Sequence, residues 1–254
     1  MSERPSERYY RDTAKFYDPF AHWPDVEFFK EMAKRYGSPI LELAHGTGRI
    51  TLTLAKEGYE IEGIELSADM SEIAGEKLEQ LPEDVQSRVT LHKGDITDFD
   101  LDKKFVLIII PTSFKFLLTT DDQLACLRCV RNHLQDDGVF ILDLYPGEAF
   151  EEDGAFTTAS VEVEGATVTK SYRHSNDLNT QLRRWDVTVE VKKPDGEVKR
   201  IETQSITSLI FPREIDLLVK HAGFHVFEDY GNWDFSPYKP DTYRRIMVLK
   251  SRID

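Results

Sequence analysis

The chain has 254 residues, with 46 acidic and 32 basic side chains and a formal net charge of −14. Because nucleic acids and anionic membranes are bound by clustered basic residues, this balance argues against both as partners. The length fits one domain, or one domain with an insertion, and a 40% hydrophobic content can bury a full core. The first five residues lack the apolar stretch of a signal peptide, and no apolar run could cross a bilayer, so we expect a soluble cytoplasmic protein.

Helices and strands are predicted to alternate along residues 1–150. Predicted helices cover 25–36, 49–56, 68–81 and 121–134. Predicted strands begin after Pro39 and then cover 60–66, 88–93, 105–110 and 139–144. Strands that alternate with helices of these lengths predict a doubly wound, mostly parallel sheet. The apolar run Val106–Ile110 suits a strand that is buried on both faces.

The alternation stops between about 156 and 209, where the chain is rich in Thr, Val and Glu. Segments 167–172 and 185–191 have the period of half-exposed strands, and Lys193–Glu197 is a hairpin signal. We therefore predict an α/β core with N-terminal cap helices over 1–150 and an antiparallel β insertion over 151–209. The last helix and strands of a seven-stranded Rossmann-like sheet then occupy 210–254. Exposed edge strands of the insertion could pair in a dimer, so a monomer or a homodimer is expected.

The segment Ile40–Ile50 carries the most functional information. An apolar strand runs into the small-residue loop Ala44–Gly48, and a helix follows. Seventeen residues after that loop, a second strand ends at Glu65. Strand, glycine loop, helix, strand and terminal acid form a nucleoside-binding half of an α/β sheet. Glycines let the backbone approach a ligand closely, and the acid can accept hydrogen bonds from two ribose hydroxyls.

The glycine spacing decides which nucleoside is expected. A dinucleotide loop needs a third glycine three positions after Gly48, where Thr51 stands, and no Lys-Ser/Thr pair follows to make a P-loop. A nicotinamide oxidoreductase is therefore disfavoured. The loop resembles motif I of class I S-adenosylmethionine (SAM) methyltransferases, with Ala44 and His45 where that family has glycine and often cysteine.

The resemblance extends to three further segments in chain order. Glu65–Met70 is similar to motif II, whose acid binds the ribose while two apolar side chains wall the adenine. Gly94-Asp95-Ile96 is similar to the third motif, whose aspartate accepts from the adenine amino group. Ile110–Phe114 ends the fourth strand, where in this family the methionine portion meets the acceptor. The residues thereby assigned to the cofactor are Tyr17, Glu42, Ala44, Gly46, Gly48, Arg49, Glu65, Leu66, Met70, Gly94, Asp95, Ile96 and Pro111.

Three of these residues have specific roles in the resembled family, and for two of them, Arg49 and Tyr17, an alternative stays open. The family uses the acid at Glu42 to hold the loop and to meet the amino group of the cofactor, often through water. Arg49 opens a helix whose N-terminal N–H groups favour a carboxylate, but it fits a solvated surface arginine equally well. Tyr17 matches a tyrosine that closes over the cofactor, although Phe16 and Tyr17 could instead anchor a helix to the sheet.

Within the family, the chain resembles small-molecule methyltransferases with a β insertion, including nucleotide-linked amino-sugar N-methyltransferases. The resemblance implies transfer from SAM to a small-molecule acceptor by in-line displacement, giving S-adenosylhomocysteine, with nitrogen favoured over oxygen and the insertion on the acceptor side. Because SAM brings an already activated methyl group, transfer mainly requires alignment of the acceptor, and a catalytic residue need not leave a signature in the sequence. No general base is therefore identified from the sequence. Candidates to line the acceptor site are Tyr17, Ser113, Phe114, Tyr145 and His174, with Arg173 and Trp185.

Two other functions stay open at this point. A SAM-binding sensor or scaffold without transferase activity would account for the departures at Ala44 and His45. The second is a methyltransferase that acts on a protein or another macromolecule. The acidic net charge argues against RNA as the substrate of such an enzyme. Enzymes that methylate DNA or glutamine need an Asn/Asp-Pro-Pro-Tyr/Phe motif after the fourth strand. This chain has Ile-Pro-Thr-Ser there, which argues against those substrates.

No metal is expected. Cys126 and Cys129 are spaced as a Cys-x-x-Cys pair, but they fall inside an apolar-periodic helix, where thiols pack as small hydrophobic groups. His221 and His225 have helical i,i+4 spacing, but Gly223 breaks the helix between them, and no carboxylate completes a ligand set.

Overall fold

The computed structural model describes residues 4–252. Its α-helices are α1 (Pro5–Thr13), α2 (Asp25–Tyr36), α3 (Arg49–Lys56), α4 (Ala68–Glu79), α5 (Glu83–Gln86), α6 (Thr120–His133) and α7 (Pro212–His221). Its strands are β1 (Ile40–Leu43), β2 (Ile61–Glu65), β3 (Val89–Lys93), β4 (Phe105–Ile110), β5 (Leu134–Leu144), β6 (Phe156–Val163), β7 (Ala166–Asp177), β8 (Leu182–Lys192), β9 (Val198–Ser208), β10 (Phe224–Tyr230) and β11 (Arg245–Ser251). Within residues 4–252, no helix is both long and apolar enough to span a membrane.

A seven-stranded sheet has the order β10-β11-β5-β4-β1-β2-β3. The neighbouring strands from β3 to β5 pair in parallel, whereas β11 pairs antiparallel with both β5 and β10. The predicted mostly parallel, doubly wound α/β sheet is thereby confirmed. The strand order changes direction between β1 and β4, and open α/β sheets bind ligands at the carboxyl ends of the strands at such a point.

The central strands are buried on both faces. Leu107 to Ile110 are all 0% exposed, with Ile108 and Ile110 packing into one core cluster and Leu107 and Ile109 into the other. Successive strand residues point to opposite faces, so a continuous apolar run serves two cores. This layering holds the loops at the carboxyl edge of the sheet on a rigid base.

Strand β5 differs from its predicted bounds, because it begins at Leu134 rather than at residue 139. Leu134 pairs with Phe105, and the register shifts before Leu107 pairs with Val139. Asp136 and Asp137 are exposed within this irregular pairing. A segment that reads as a polar turn can therefore continue a strand when a bulge absorbs the extra residues.

Strands β6 to β9 form a separate antiparallel sheet of four strands, which corresponds to the predicted insertion. The predicted hairpin turn joins β8 to β9, where the Lys193 amide donates to the Glu197 carbonyl over 2.9 Å. One face of this sheet packs on the N-terminal segment, because Val168, Val187 and Val189 are buried with Tyr9 and Phe16. The insertion is thereby placed next to α1.

Candidate active site

The loop between β1 and α3 has left-handed backbone at three positions, with φ of 58° at Ala44, 58° at Gly46 and 77° at Gly48. Glycine adopts this conformation at little cost, whereas an alanine is strained there. Ala44 is therefore held in a conformation that suits the glycine of the resembled motif. The loop turns sharply and exposes its backbone at the carboxyl edge of the sheet.

Glu65 at the end of β2 closes this loop from the neighbouring strand. Its Oε2 accepts from the Gly46 amide over 3.0 Å, and its Oε1 accepts from the Ser67 amide over 2.7 Å. Burial raises the pKa of Glu65, although hydrogen bonds from the Ser67 and Gly46 amides oppose the rise. The same carboxylate therefore shapes the loop and faces the cavity beside it.

That cavity, called the loop cavity below, gathers residues from five separate parts of the chain. It is lined by Arg4, Ser6, Tyr10, Tyr17, Ala44, Gly46, Glu65, Leu66, Ser67, Met70, Asp95, Ile96, Ser113, Phe116 and Leu117. Eight of the thirteen residues that the sequence assigned to the cofactor are in this set: Tyr17, Ala44, Gly46, Glu65, Leu66, Met70, Asp95 and Ile96. Carboxylates at the ends of neighbouring strands, apolar walls and exposed loop backbone fit a nucleoside that carries an amino acid.

The other five assigned residues, Glu42, Gly48, Arg49, Gly94 and Pro111, do not line the loop cavity. Glu42 is 3% exposed at the end of β1, and its carboxylate accepts a hydrogen bond from the Thr51 hydroxyl of α3. Burial raises the pKa of Glu42 to about 8, despite that hydrogen bond and the nearby positive charge of Arg49. Glu42 thus ties the strand to the helix that follows the loop.

Arg49 is not a solvated arginine. Its Nη1 and Nη2 donate to the two carboxylate oxygens of Asp25 over 2.6 Å each, and Asp25 is 1% exposed. The guanidinium also lies 5.3 Å from the ring centre of Trp23. Two parallel charge-assisted hydrogen bonds fix both direction and distance, so Arg49 joins the start of α2 to the start of α3.

Arg4 is a cavity residue that the sequence did not reveal. Its Nη2 lies 2.8 Å from Asp95 Oδ2, and 3.4 Å from Asp122 Oδ1, and it donates to the Thr97 hydroxyl over 3.1 Å. These partners are about 90 to 120 positions away along the chain, and no local pattern links them. Arg4 thereby holds the start of α1 over the edge of the loop cavity.

A second, larger cavity of about 660 Å³ lies between the core and the insertion, and is called the insertion cavity below. Its walls are rich in aromatic rings and also carry carboxylates and two lysines. The aromatic members are Tyr9, Tyr10, Tyr17, Trp23, Phe116, Tyr145, Tyr172, Trp185 and Tyr243, and the charged members are Lys115, Glu148, Glu151, Glu152 and Lys170. Tyr10, Tyr17 and Phe116 line both cavities, so the two spaces meet at these rings.

The core side of the insertion cavity is held by buried ionic contacts. Lys115 Nζ lies 2.6 Å from Glu148 Oε1. Arg244 binds Asp143, with 2.6 Å between Nη1 and Oδ1, and also donates to the Tyr145 hydroxyl. Burial raises the pKa of Tyr145, and the charge of Asp143 adds to this effect. Tyr145 therefore presents a protonated phenol.

The predicted acceptor-side residues fall into two groups. Tyr17, Tyr145, His174 and Trp185 line the insertion cavity, and Ser113 lines the loop cavity. The structure contradicts the prediction for Phe114, which is 0% exposed in the main core cluster and lines neither cavity. A 3₁₀ turn over Phe114–Phe116 turns the first ring inward, and it is Phe116 that reaches the cavities. Arg173 is exposed and does not line either cavity.

The cysteine and histidine pairs behave as structural residues. Cys126 is buried in the core, where burial raises the pKa of its thiol, and the Cys129 thiol contacts the Thr97 carbonyl. His225 is exposed on β10, beyond the helix that ends at His221. Across residues 4–252 no group of three or more His, Cys, Asp or Glu side chains is arranged to hold a metal ion.

Comparison with known proteins agrees with this geometry. A model of the methyltransferase domain family matches residues 40–138. A dTDP-3-amino-3,6-dideoxy-alpha-D-glucopyranose N,N-dimethyltransferase of Streptomyces fradiae is 30% identical over 221 residues, covering 83% of this chain and 82% of that protein. A dTDP-3-amino-3,4,6-trideoxy-alpha-D-glucopyranose N,N-dimethyltransferase of Streptomyces venezuelae is 27% identical over 190 residues, covering 74% and 76%.

The fold is also shared with solved structures. The CcbJ methyltransferase from Streptomyces caelestis aligns over 100% of both chains with a TM-score of 0.81, at 22% sequence identity. The relative at 30% identity, together with the matched region 40–138, confirms the predicted family. The chain belongs to the family of SAM-dependent methyltransferases, and it is an enzyme of that class.

Proposed function

We propose that this methyltransferase transfers methyl groups to the amine of an amino sugar carried on a nucleotide. The observation that carries the proposal is the meeting of two cavities at Tyr10, Tyr17 and Phe116. One cavity has the side chains that a nucleoside needs, and the other has the size and lining of a small-molecule site. A methyl group leaving the first cavity would enter the second without crossing bulk water.

We propose that the loop cavity holds SAM, whose sulfonium supplies an already activated methyl group. In this assignment Glu65 binds the ribose, and Leu66, Met70 and Ile96 enclose the adenine, with Asp95 at its amino group. Ala44 and Gly46 present loop backbone to the methionine portion, while Gly48 and Gly94 shape the turns behind it. The cavity is supported by residues that do not line it: the strand ends and the start of α3 are fixed by Glu42, Arg49 and Pro111. Of the residues named here, seven line the cavity, and Tyr17 lines it as well.

Three features of the insertion cavity support an amino sugar as the acceptor. Aromatic faces and the carboxylate of Glu152 attract a protonated amine, while Glu148 and Glu151 line the same cavity in ion pairs with Lys115 and Arg183. Lys170 also lines the cavity; it lies 5.8 Å from the Tyr9 ring centre, and it has no carboxylate partner among residues 4–252. A free cation beside an aromatic wall fits the phosphate of a nucleotide. The named relatives from Streptomyces are dTDP-amino-sugar N,N-dimethyltransferases.

The chain's contribution to the reaction is positioning and exclusion of water. The rings of Tyr10 and Tyr17 lie 6.2 Å apart at the junction of the cavities, and Tyr17 also lies 5.9 Å from Trp23. Burial raises the pKa of Tyr17, so its hydroxyl stays protonated and can donate a hydrogen bond. Alignment of an amine lone pair with the methyl carbon supplies much of the rate enhancement in such a transfer.

The test is a methylation assay with SAM and a matched set of acceptors, read by mass spectrometry. The set contains a dTDP-linked 3-amino sugar, a dTDP-linked 4-amino sugar, the corresponding free amino sugars and a dTDP-sugar without an amine. We expect one or two methyl groups on a dTDP-linked amino sugar and none on the amine-free compound. Lys170→Gln should reduce the preference for the nucleotide-linked over the free sugar. Failure of the wild-type protein to methylate any amine in the set would refute the proposal.

A further inference from the structure

His174 is a buried titratable group in the insertion cavity. It lies on β7, is 6% exposed, and pairs across the sheet with Trp185, whose ring centre is 5.3 Å from the imidazole centre. Its Nε2 is buried and has no hydrogen-bond partner among residues 4–252. A buried imidazole nitrogen without a partner is costly unless it serves a ligand or a charge exchange.

Glu151 is the charged group nearest to that nitrogen, with 3.8 Å between His174 Nε2 and Glu151 Oε2. Burial acts to raise the pKa of Glu151, but hydrogen bonds from the Tyr243 hydroxyl and the Arg183 guanidinium outweigh it and lower the pKa. Those bonds measure 2.8 Å and 2.6 Å. Glu151 is therefore ionised, and two hydrogen bonds hold its carboxylate 3.8 Å from His174 Nε2.

Several of the charged groups around His174 are paired with one another. Arg183 is 0% exposed, and its charge is balanced by Glu151. On the core side, Glu148 is paired with Lys115. Glu152 and Lys170 line the same cavity and carry opposite charges. Glu151 is thus the carboxylate nearest to the imidazole, and it also binds Arg183.

We propose that His174 is a catalytic residue that takes the proton from the acceptor's ammonium group, with Glu151 as its positioning residue. This inference rests on the proposed function, because it requires an amine in the insertion cavity. A protonated amine has no lone pair for attack, so its conversion to the neutral form must precede transfer. The side chain that receives this proton must line the acceptor cavity, as His174 does.

The step balances in protons and electrons. The N–H bond of the ammonium breaks, its electron pair stays on nitrogen, and the proton bonds to the imidazole. The nitrogen lone pair then forms a bond to the methyl carbon, while the pair of the carbon–sulfur bond passes to sulfur. The imidazolium returns its proton to solvent. A second cycle starts when His174 removes a proton from the monomethylated ammonium.

The experiment compares His174→Gln with His225→Gln, which changes an exposed histidine on β10 outside both cavities. Rates are measured over pH with the dTDP-amino sugar that the wild type methylates best. We expect His174→Gln to lower kcat about 100-fold at neutral pH, with KM for SAM unchanged. The deficit should shrink as pH rises, because the amine then arrives neutral. Imidazole added to His174→Ala should restore part of the rate, and Glu151→Gln should show a smaller deficit of the same pH dependence.

A readout that does not depend on turnover is nuclear magnetic resonance of the wild type labelled at histidine ring carbons. In the S-adenosylhomocysteine complex, addition of the amino sugar should move the His174 resonance toward its protonated position and leave that of His225 in place. Wild-type turnover with an unchanged rate and pH profile in His174→Gln overturns this inference alone. Absence of wild-type turnover on every amine refutes the proposed function, and the inference falls with it.

Discussion

The guanidinium of Arg4 lies against the carboxylate of Asp95, with 2.8 Å between Nη2 and Oδ2. The other oxygen of Asp95 accepts from the amide and hydroxyl of Thr97, over 2.9 Å and 2.8 Å. Asp95 is the residue that the family resemblance assigns to the adenine amino group. Arg4 and Thr97 therefore limit which lone pairs of Asp95 remain available to a ligand. Through Arg4, the start of α1 is also linked to the part of the loop cavity that we assign to the adenine.

Arg4→Gln is expected to weaken SAM retention. Loss of the guanidinium removes the contacts to Asp95 and Asp122 that hold α1 at the edge of the cavity, so the dissociation rate should rise about two- to tenfold. Stopped-flow measurement of SAM release checks this. Arg8→Gln, on the exposed side of the same helix, is the control and should leave the rate unchanged. Equal release from wild type and Arg4→Gln would show that α1 does not retain the cofactor.

Glu65→Ala is expected to weaken SAM binding at least about tenfold, because each charge-assisted hydrogen bond to a ribose hydroxyl is worth roughly 1.5–3 kcal/mol. The carboxylate also accepts from the Gly46 and Ser67 amides, so its loss loosens the loop. Isothermal titration with SAM measures the affinity, and Glu72→Ala, at an exposed position of α4, is the control. A folded Glu65→Ala protein with wild-type affinity would remove Glu65 from the cofactor site.

The sheet and much of the loop cavity could be predicted from the sequence because their causes are local. Buried parallel strands leave continuous apolar runs, and the ends of such strands meet at one edge, so acids at positions 65 and 95 could be expected near one another. Arg4 could not be predicted, since its partners are brought near only by the packing of α1. The sequence also does not show that a 3₁₀ turn over Phe114–Phe116 directs the Phe114 ring into the core and brings Phe116 to the cavities.

The ionic contacts around the insertion cavity were also beyond sequence reasoning. Arg183 lies on a strand with half-exposed periodicity, where an arginine is expected to face solvent. It is instead 0% exposed, because Glu151 and the Asn176 side chain satisfy its guanidinium. Glu151 stands in the connection before β6, so the pairing of two distant segments decides the burial of Arg183.

Glu42→Gln is expected to change how stability depends on pH. Burial raises the pKa of Glu42 to about 8 in the folded protein, so between the unfolded value and that pH the folded state binds more protons. The contribution of Glu42 to stability is complete at low pH and is lost as pH rises toward about 8. The variant should therefore gain at least about 1 kcal/mol relative to wild type between mildly acidic and mildly alkaline pH.

Urea unfolding at several pH values measures this difference. Glu79→Gln, at an exposed position of α4, is the matched control and should follow the wild-type curve. Parallel pH profiles for Glu42→Gln and wild type would mean that the buried carboxyl is fully compensated by Thr51 and Arg49 at every pH.

Replacement of Tyr17 separates the role of its ring from that of its hydroxyl. Burial raises the pKa of this tyrosine, so its phenol stays protonated at neutral pH and cannot act as the base that removes an amine proton. Tyr17→Phe keeps the ring contacts with Tyr10 and Trp23 and should hold kcat within about threefold of wild type. Tyr17→Ala opens the wall between the two cavities and should lower kcat/KM at least about tenfold, because water then enters between the acceptor amine and the methyl group.

Single-turnover methylation of the accepted amine distinguishes the two variants. A Tyr17→Phe protein as impaired as Tyr17→Ala would assign the loss to the hydroxyl and would place a hydrogen bond from Tyr17 in the reaction itself.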